Sequence, residues 1–138
     1  MKIDVNPYLS FNGQCEAAFK FYEQCLVGSS LSFHKYGGSP MEGHVPADWR
    51  DKVMHATLLF GNTALMGADA PPDFFRAPQG FSVSVSVDTP EDSERVFNAL
   101  AKGGTVQMPI QQTFWTARFG MLIDQFGIPW MVNCNQAA

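Results

Sequence analysis

Arg118 is the residue of this sequence best suited to binding chemistry. The hydrophobic pattern places it in a strand over residues 115–123, among aromatic residues. A cation in such surroundings needs a partner. Its planar guanidinium could hold a carboxylate, phosphonate or enolate of a ligand through paired hydrogen bonds. The other candidate partner is a carboxylate of the chain itself, namely Asp124, Asp69 or a glutamate of a facing sheet. The sequence leaves both open.

His55 is the candidate for proton transfer, because histidine exchanges protons near neutral pH. It stands at the start of a predicted strand, where alternation places it on the face opposite Met54 and Ala56. The alternative is a structural histidine bonded to the backbone or to a carboxylate. No Ser-His-Asp or Cys-His arrangement has local support, so the sequence does not decide whether the protein is an enzyme.

Several aromatic residues are predicted near the mouth of a ligand pocket. Aromatic side chains bind flat apolar ligands well. Ordinary core packing explains most aromatic residues in any domain, so two of them are kept as pocket candidates, Trp115 and Tyr8.

The composition excludes several classes of function. Of the 138 residues, 46% are apolar and 16% charged, the net charge is −4, and no run of Lys or Arg occurs. Binding to nucleic acid or to an anionic membrane surface is therefore not expected. The first residues lack the apolar stretch of a signal peptide, and no apolar run approaches the ~20 residues that span a bilayer. The three cysteines form no C-x-x-C and are expected to be free thiols in a reducing cytoplasm.

The order of predicted elements occurs twice. Each copy reads strand, helix and three strands, with residues 1–70 forming the first βαβββ module, 71–79 a linker and 80–138 the second module. In the first copy a long loop over 37–51 follows the second strand, and the last strand is short, over 63–66. In the second copy, valines alternate with serines over 81–87, and Thr89-Pro90 begins the helix. The serine face is either a pocket wall or a solvent face.

The chain resembles the vicinal-oxygen-chelate superfamily of glyoxalases, bleomycin-resistance proteins and extradiol dioxygenases, and within it the PhnB-like branch. The match runs nearly from end to end, and six segments carry it. They are Pro7–Gly13, Ala17–Tyr22, Lys52–Ala56, Leu65–Ala70, Phe114–Gly120 and Asp124–Trp130.

The resemblance implies an α+β fold. In it, tandem βαβββ modules form a cup-shaped, partly open eight-stranded mixed sheet with the helices outside. The metal enzymes of this superfamily place four ligands in the cup. Carried over, those positions fall on Asn6 (Pro7 in a register shifted by one), Met66, Ser82 and Met131. None of these is a good ligand for Zn²⁺, Ni²⁺, Mn²⁺ or Fe²⁺, although two thioethers would suit a soft ion such as Cu(I). No metal is therefore expected.

The expected function is metal-independent binding of a small molecule, with catalysis left open. Arg118, Trp115, Tyr8, Met66, Ser82 and Met131 are the expected ligand-binding residues, and His55 is the catalytic candidate. One alternative is a metal-dependent lyase, isomerase or dioxygenase with non-standard ligands such as His55. Another is a resistance protein that sequesters a drug.

No cofactor is expected. No G-x-G-x-x-G follows a strand, and no glycine-rich loop could hold S-adenosylmethionine, so the methyltransferase label that some proteins of this branch carry is not adopted. The expected partners are the small molecule and a second copy of the chain in a homodimer, because open sheet edges favour pairing.

Overall fold

The computed structural model describes residues 1–138, which divide into two units, Met1–Arg76 and Ala77–Ala138. Both units have the predicted order of strand, helix and three strands. The first contains β1 (Tyr8–Phe11), α1 (Cys15–Cys25), β2 (Ser30–Lys35), β3 (Val53–Phe60) and β4 (Thr63–Asp69). The second contains β5 (Val83–Val87), α2 (Pro90–Ala101), β6 (Thr105–Gln111), β7 (Phe119–Ile123) and β8 (Pro129–Cys134).

Each unit forms one four-stranded mixed sheet, and the two sheets have the same topology. The strand order is β1-β4-β3-β2 in the first and β5-β8-β7-β6 in the second. In both, the first strand runs parallel to the last, and the remaining pairs are antiparallel. The α+β class and the duplicated βαβββ order are thereby confirmed.

One helix packs on one face of each sheet. The buried side of α1 consists of Cys15, Ala18, Phe19, Tyr22 and Cys25. Phe21 of the same helix is only partly buried. Phe19 lies one turn from Tyr22 and Cys15 and completes the helical spacing. On α2 the buried side is Ser93, Val96, Phe97 and Leu100, and Thr89 caps the helix by accepting a hydrogen bond from the backbone N–H of Asp92.

The last strand of the first unit is longer than predicted. It extends to Asp69, beyond the strand predicted over 63–66, because parallel pairing with β1 continues to Phe11 opposite Asp69. The buried Asp69 carboxylate accepts hydrogen bonds from the N–H groups of Gly13 and Cys15, each at 2.9 Å, and of Val53 at 2.9 Å. It therefore joins the start of α1 to the start of β3.

Two further expectations about local structure need correction. The strand predicted over 115–123 begins only at Phe119, because the preceding residues form a turn in which Thr113 N–H donates to the Thr116 carbonyl. The loop over 37–51 contains two short 3₁₀ turns, Glu42–His44 and Ala47–Trp49. Trp49 is buried against the Tyr36 ring at 6.0 Å, and Gly37 N–H donates to the Arg50 carbonyl, so this loop is anchored to the sheet.

Candidate functional site

The first sheet has one face covered by α1 and one face without a helix. Leu9 and Phe11 of β1 and Leu58 of β3 are buried on the α1 side, so their neighbours point the other way. We call this second side the helix-free face of the first sheet. Register and alternation assign to it Tyr8, Ser10, Ser30, Ser32, His34, His55, Thr57, Leu59, Ala64, Met66 and Ala68.

A chain of side-chain hydrogen bonds crosses this face. The Tyr8 hydroxyl lies 3.1 Å from Nδ1 of His55, and Nε2 of His55 lies 3.0 Å from Oγ1 of Thr57. The Tyr8 and His55 rings are 5.7 Å apart between centroids. Both nitrogens of one imidazole are therefore engaged, each with a hydroxyl, and no carboxylate takes part in these two bonds.

A neutral imidazole allows two arrangements of protons in this chain. In the first, Tyr8 donates to Nδ1 and Nε2 donates to Thr57, which leaves the Thr57 proton free for a ligand. In the second, Thr57 donates to Nε2 and Nδ1 donates to Tyr8, which leaves the Tyr8 proton free. Partial burial, and less strongly Cys15, raises the pKa of Tyr8, so the phenol retains its proton at neutral pH. One end of the chain thus offers a donor while the other offers an acceptor.

Met66 lies in the same row as this chain. In the strand register it is opposite Tyr8 on one side and opposite Thr57 on the other. Its thioether adds an apolar, adaptable surface between two hydroxyl groups. His34 stands directly opposite His55 on the neighbouring strand. The face therefore combines the polar groups of Tyr8, His55 and Thr57 with the apolar side chain of Met66.

Three of the predicted site residues meet on this face: Tyr8, His55 and Met66. Thr57 and His34 were not among the expected site residues. The signal for Thr57 is its position two residues after His55 in one strand, which puts both on the same side. The signal for His34 is only its pairing with His55, which depends on the register between β2 and β3.

Arg118 is not on a helix-free face. Its Nε donates to Oε1 of Glu94 on α2 at 3.0 Å, and its Nη1 donates to the carbonyl of Ala117 at 2.6 Å. Gly120 and Leu122 lie on the same side of the strand as Arg118, and this side faces α2. Its partner is therefore a helix glutamate, which the sequence reasoning did not name.

Asp69 and Asp124, the other partners considered for Arg118, are engaged with N–H groups. Asp124 is buried, and its Oδ1 accepts from the N–H groups of Phe126 and Ile128 while its Oδ2 accepts from the indole of Trp130 at 2.8 Å. These two carboxylates stabilise turns and strand ends.

Met131 and Ser82 belong to the second unit. Met131 is opposite Ser84 in the register between β8 and β5, just as Met66 is opposite Tyr8. Ser82 precedes Ser84 by two residues, as Asn6 precedes Tyr8. Asn6, rather than Pro7, is therefore the counterpart of Ser82 in the duplicated fold.

Trp115 is half exposed, at 50%, and stacks edge-on between Phe114 at 4.8 Å and Phe119 at 5.4 Å. Phe119 lies on the side of the second sheet away from α2. The Trp115 cluster thus borders the helix-free side of the second sheet.

The arrangement offers few ligands for a hard metal ion. No group of three or more His, Cys, Asp or Glu side chains is close enough to hold one. His34 and His55 form a pair of imidazoles without a nearby carboxylate on this face. No helix is long and apolar enough to cross a membrane.

A family model described as 3-demethylubiquinone-9 3-methyltransferase matches residues 3–133. The chain belongs to this family. It is 31% identical to protein YjdN of Escherichia coli K12, over 94% of this chain and 93% of YjdN. Protein PA1353 of Pseudomonas aeruginosa is 49% identical, with a TM-score of 0.89 over 98% of this chain and 99% of PA1353.

More distant structures have the same fold. The PhnB protein of Bacillus cereus is 26% identical, with a TM-score of 0.76 over 96% of this chain and 99% of its own. A glyoxalase/bleomycin resistance protein of Albidiferax ferrireducens shares the fold, with a TM-score of 0.67 at 16% identity over 97% and 99% of the two chains. The resemblance inferred from the sequence is confirmed.

Proposed function

We propose that this protein binds a small, uncharged, partly apolar molecule on the helix-free face of the first sheet, without a metal ion. The observation that carries the proposal is the hydrogen-bonded chain Tyr8–His55–Thr57 beside Met66. Hydroxyl groups at both ends of one imidazole provide directional recognition, and the thioether provides apolar contact.

The chemistry of this face favours a neutral ligand. None of its eleven side chains is acidic, and none is a lysine or arginine. An anion would lack a cation here, because Arg118 pairs with Glu94. A cationic drug would lack a carboxylate, so drug sequestration of that kind has no support from these residues.

A ligand with a carbonyl beside a hydroxyl group would match both ends of the chain. The carbonyl accepts the proton that one protein hydroxyl offers, and the ligand hydroxyl donates to the other. One arrangement converts into the other when each hydrogen bond of Tyr8–His55–Thr57 passes on one proton. The same residues could therefore relay a proton between neighbouring ligand atoms. Proton transfer is accordingly the reaction class that this face could support.

The methyltransferase name of the family is not supported by these residues. A cofactor bound at a strand-to-helix turn needs free backbone N–H groups there. At the turn before α1, the N–H groups of Gly13 and Cys15 donate to Asp69, and at the turn before α2 the Asp92 N–H donates to Thr89. Both turns are closed by the chain's own side chains, so they do not fit S-adenosylmethionine bound in this way.

A test uses hydroxyacetone as the probe, with acetone as the analogue that lacks the hydroxyl group. In buffer with EDTA, we expect hydroxyacetone to shift the backbone amide signals of Tyr8, His55 and Thr57, and acetone to shift them less. Thr57→Val should weaken the response, whereas Thr63→Val, at the exposed start of β4, should not. Binding that appears only after a divalent metal is added would contradict the proposal.

Homodimer formation is a further part of this proposal. The edge strand β6 is exposed at all residues but one, and an exposed edge favours pairing with a second chain. Light scattering at two protein concentrations measures the mass of the particle. A monomer at both would contradict the dimer.

A further inference from the structure

Three methionines lie side by side across the second sheet. In the strand register Met131 of β8 is opposite Met121 of β7, and Met121 is opposite Met108 of β6. They are three of the seven methionines in the chain. We call this set the methionine row.

The methionine row faces away from α2. Met121 stands between Gly120 and Leu122, and a Cβ on Gly120 would come within 2.6 Å of the Phe97 ring of α2. Met131 likewise stands between buried Trp130 and Val132. The residues on either side point to the helix, so alternation directs the row to the opposite side. Met108 is opposite Met121 beside a bulge between Val106 and Met108.

We propose that the methionine row is a binding site for a soft monovalent metal ion, Cu(I). Thioether sulfur is a soft, uncharged ligand of the kind that Cu(I) selects. Opposite residues on adjacent strands have their Cβ atoms about 5 Å apart. Each methionine has three rotatable bonds, so the sulfurs of the two outer residues can move towards the central one. Three neutral sulfurs without a carboxylate disfavour hard divalent ions.

The site is accessible and has no thiol competitor on its side of the sheet. Met108 is 38% exposed, and Met121 and Met131 are partly exposed. Cys134 lies on the same strand as Met131 but is buried on the helix side. It is two residues from Val132, which faces the same way. Apolar packing alone does not require methionine at these three strand positions, since strands favour β-branched residues. The proposal does not depend on the function proposed for the first sheet.

The experiment uses protein labelled with ¹³C at the methionine methyl groups and titrated with Ag(I), a soft monovalent ion that is not oxidised in air. We expect the methyl signals of the methionine row to shift together and to saturate at one ion per chain. Met41, which is 45% exposed in the loop before β3, serves as the internal control and should not shift in that range. Equal shifts at Met41 would overturn the proposal, as would no shift in the row.

Substitutions then test the geometry. Met121→Leu keeps a similar volume and removes the central sulfur. The affinity for Ag(I), and for Cu(I) measured anaerobically against bicinchoninate, should fall at least about tenfold, since even outer-shell losses cost that much at metal sites. Met41→Leu should leave the affinity unchanged. Met108→Leu, at the exposed edge, repeats the test should Met121→Leu fold poorly. An unchanged affinity in either folded variant of the row would overturn the proposal.

Discussion

Tyr8 and His55 are 47 residues apart in the chain, and their side chains are joined by a hydrogen bond of 3.1 Å between the phenol oxygen and Nδ1. Three strands bring them together, because β4 lies between β1 and β3 in the sheet. With Thr57 on the other ring nitrogen, His55 has a defined partner on both sides. The candidate site is therefore built into the sheet and not carried by a loop.

Replacement of Tyr8 by Phe should change the state of His55 more than the stability of the fold. The ring nitrogen Nδ1 loses its partner, while Nε2 keeps Thr57. We expect the ¹⁵N signal of Nδ1 to move clearly and that of Nε2 to move less. The free energy of unfolding should fall by about 1 kcal/mol, the usual worth of one hydrogen bond. An unchanged Nδ1 signal would show that the bond is not formed in solution.

Replacement of Arg118 by Ala should leave binding of hydroxyacetone unchanged. The guanidinium pairs with Glu94 on the helix side of the second sheet, whereas Tyr8 and His55 belong to the first unit. A partly exposed ion pair contributes about 0–1 kcal/mol, so chemical denaturation should show a small loss of stability. Glu94→Ala is the matched variant and should show a similar loss. Abolished binding in Arg118→Ala would restore the ligand role that the sequence suggested.

Replacement of Asp69 by Asn should destabilise the first unit strongly. An amide oxygen can still accept from Gly13 and Cys15, but its NH₂ group would then face the N–H of Val53. Two donors facing each other in a buried site leave a polar group unsatisfied, which costs about 1–3 kcal/mol or more. Asp73→Asn, on an exposed residue after β4, is the control and should have little effect. Equal unfolding midpoints for the two variants would refute the role of Asp69.

Alkaline pH should weaken the fold through one cysteine and two tyrosines that stay protonated in the folded protein. Burial, together with Asp69 and Glu16, raises the pKa of Cys15 far above its ordinary value of 9.0, and burial raises the pKa of Tyr36 and Tyr8 above 10.0. The folded protein keeps these protons while the unfolded chain releases them, so stability is fully present below pH 9 and falls as the pH rises above it.

Denaturation at several pH values between 7 and 11 measures this loss. Cys15 and Tyr36, which are both buried, each add a slope of up to about 1.4 kcal/mol per pH unit, whereas the half-exposed Tyr8 adds less. Cys15→Ala should reduce the slope. A free energy of unfolding that is constant up to pH 11 would contradict the raised pKa values.

Local patterns were sufficient to predict the order of the strands and helices, and the resemblance supplied the fold. Alternating valines and serines predicted the strand that became β5, and Thr89-Pro90 predicted the start of α2. Each of these signals lies within a few adjacent residues and follows from strand alternation or helix capping.

The site could be predicted only in part, because its contacts depend on register between distant strands. Tyr8, His55 and Met66 were each identified, but their meeting depends on how β1, β4 and β3 align. The side on which Arg118 lies depends on where β7 begins. A register shift of one residue moves every side chain of a strand to the other face of the sheet. Asp69 was considered only as a partner of Arg118, whereas its carboxylate is a buried acceptor for three N–H groups.

The shared strand order has a consequence for how such a protein can change over time. Duplication kept the backbone plan of both units, yet Tyr8 opposite Met66 corresponds to Ser84 opposite Met131. Both imidazoles, His34 and His55, lie on the helix-free face of the first sheet, and the row of three methionines lies on that of the second. A substitution on either helix-free face can therefore alter one chemistry and leave the other intact, so that the two halves of one gene are free to specialise separately.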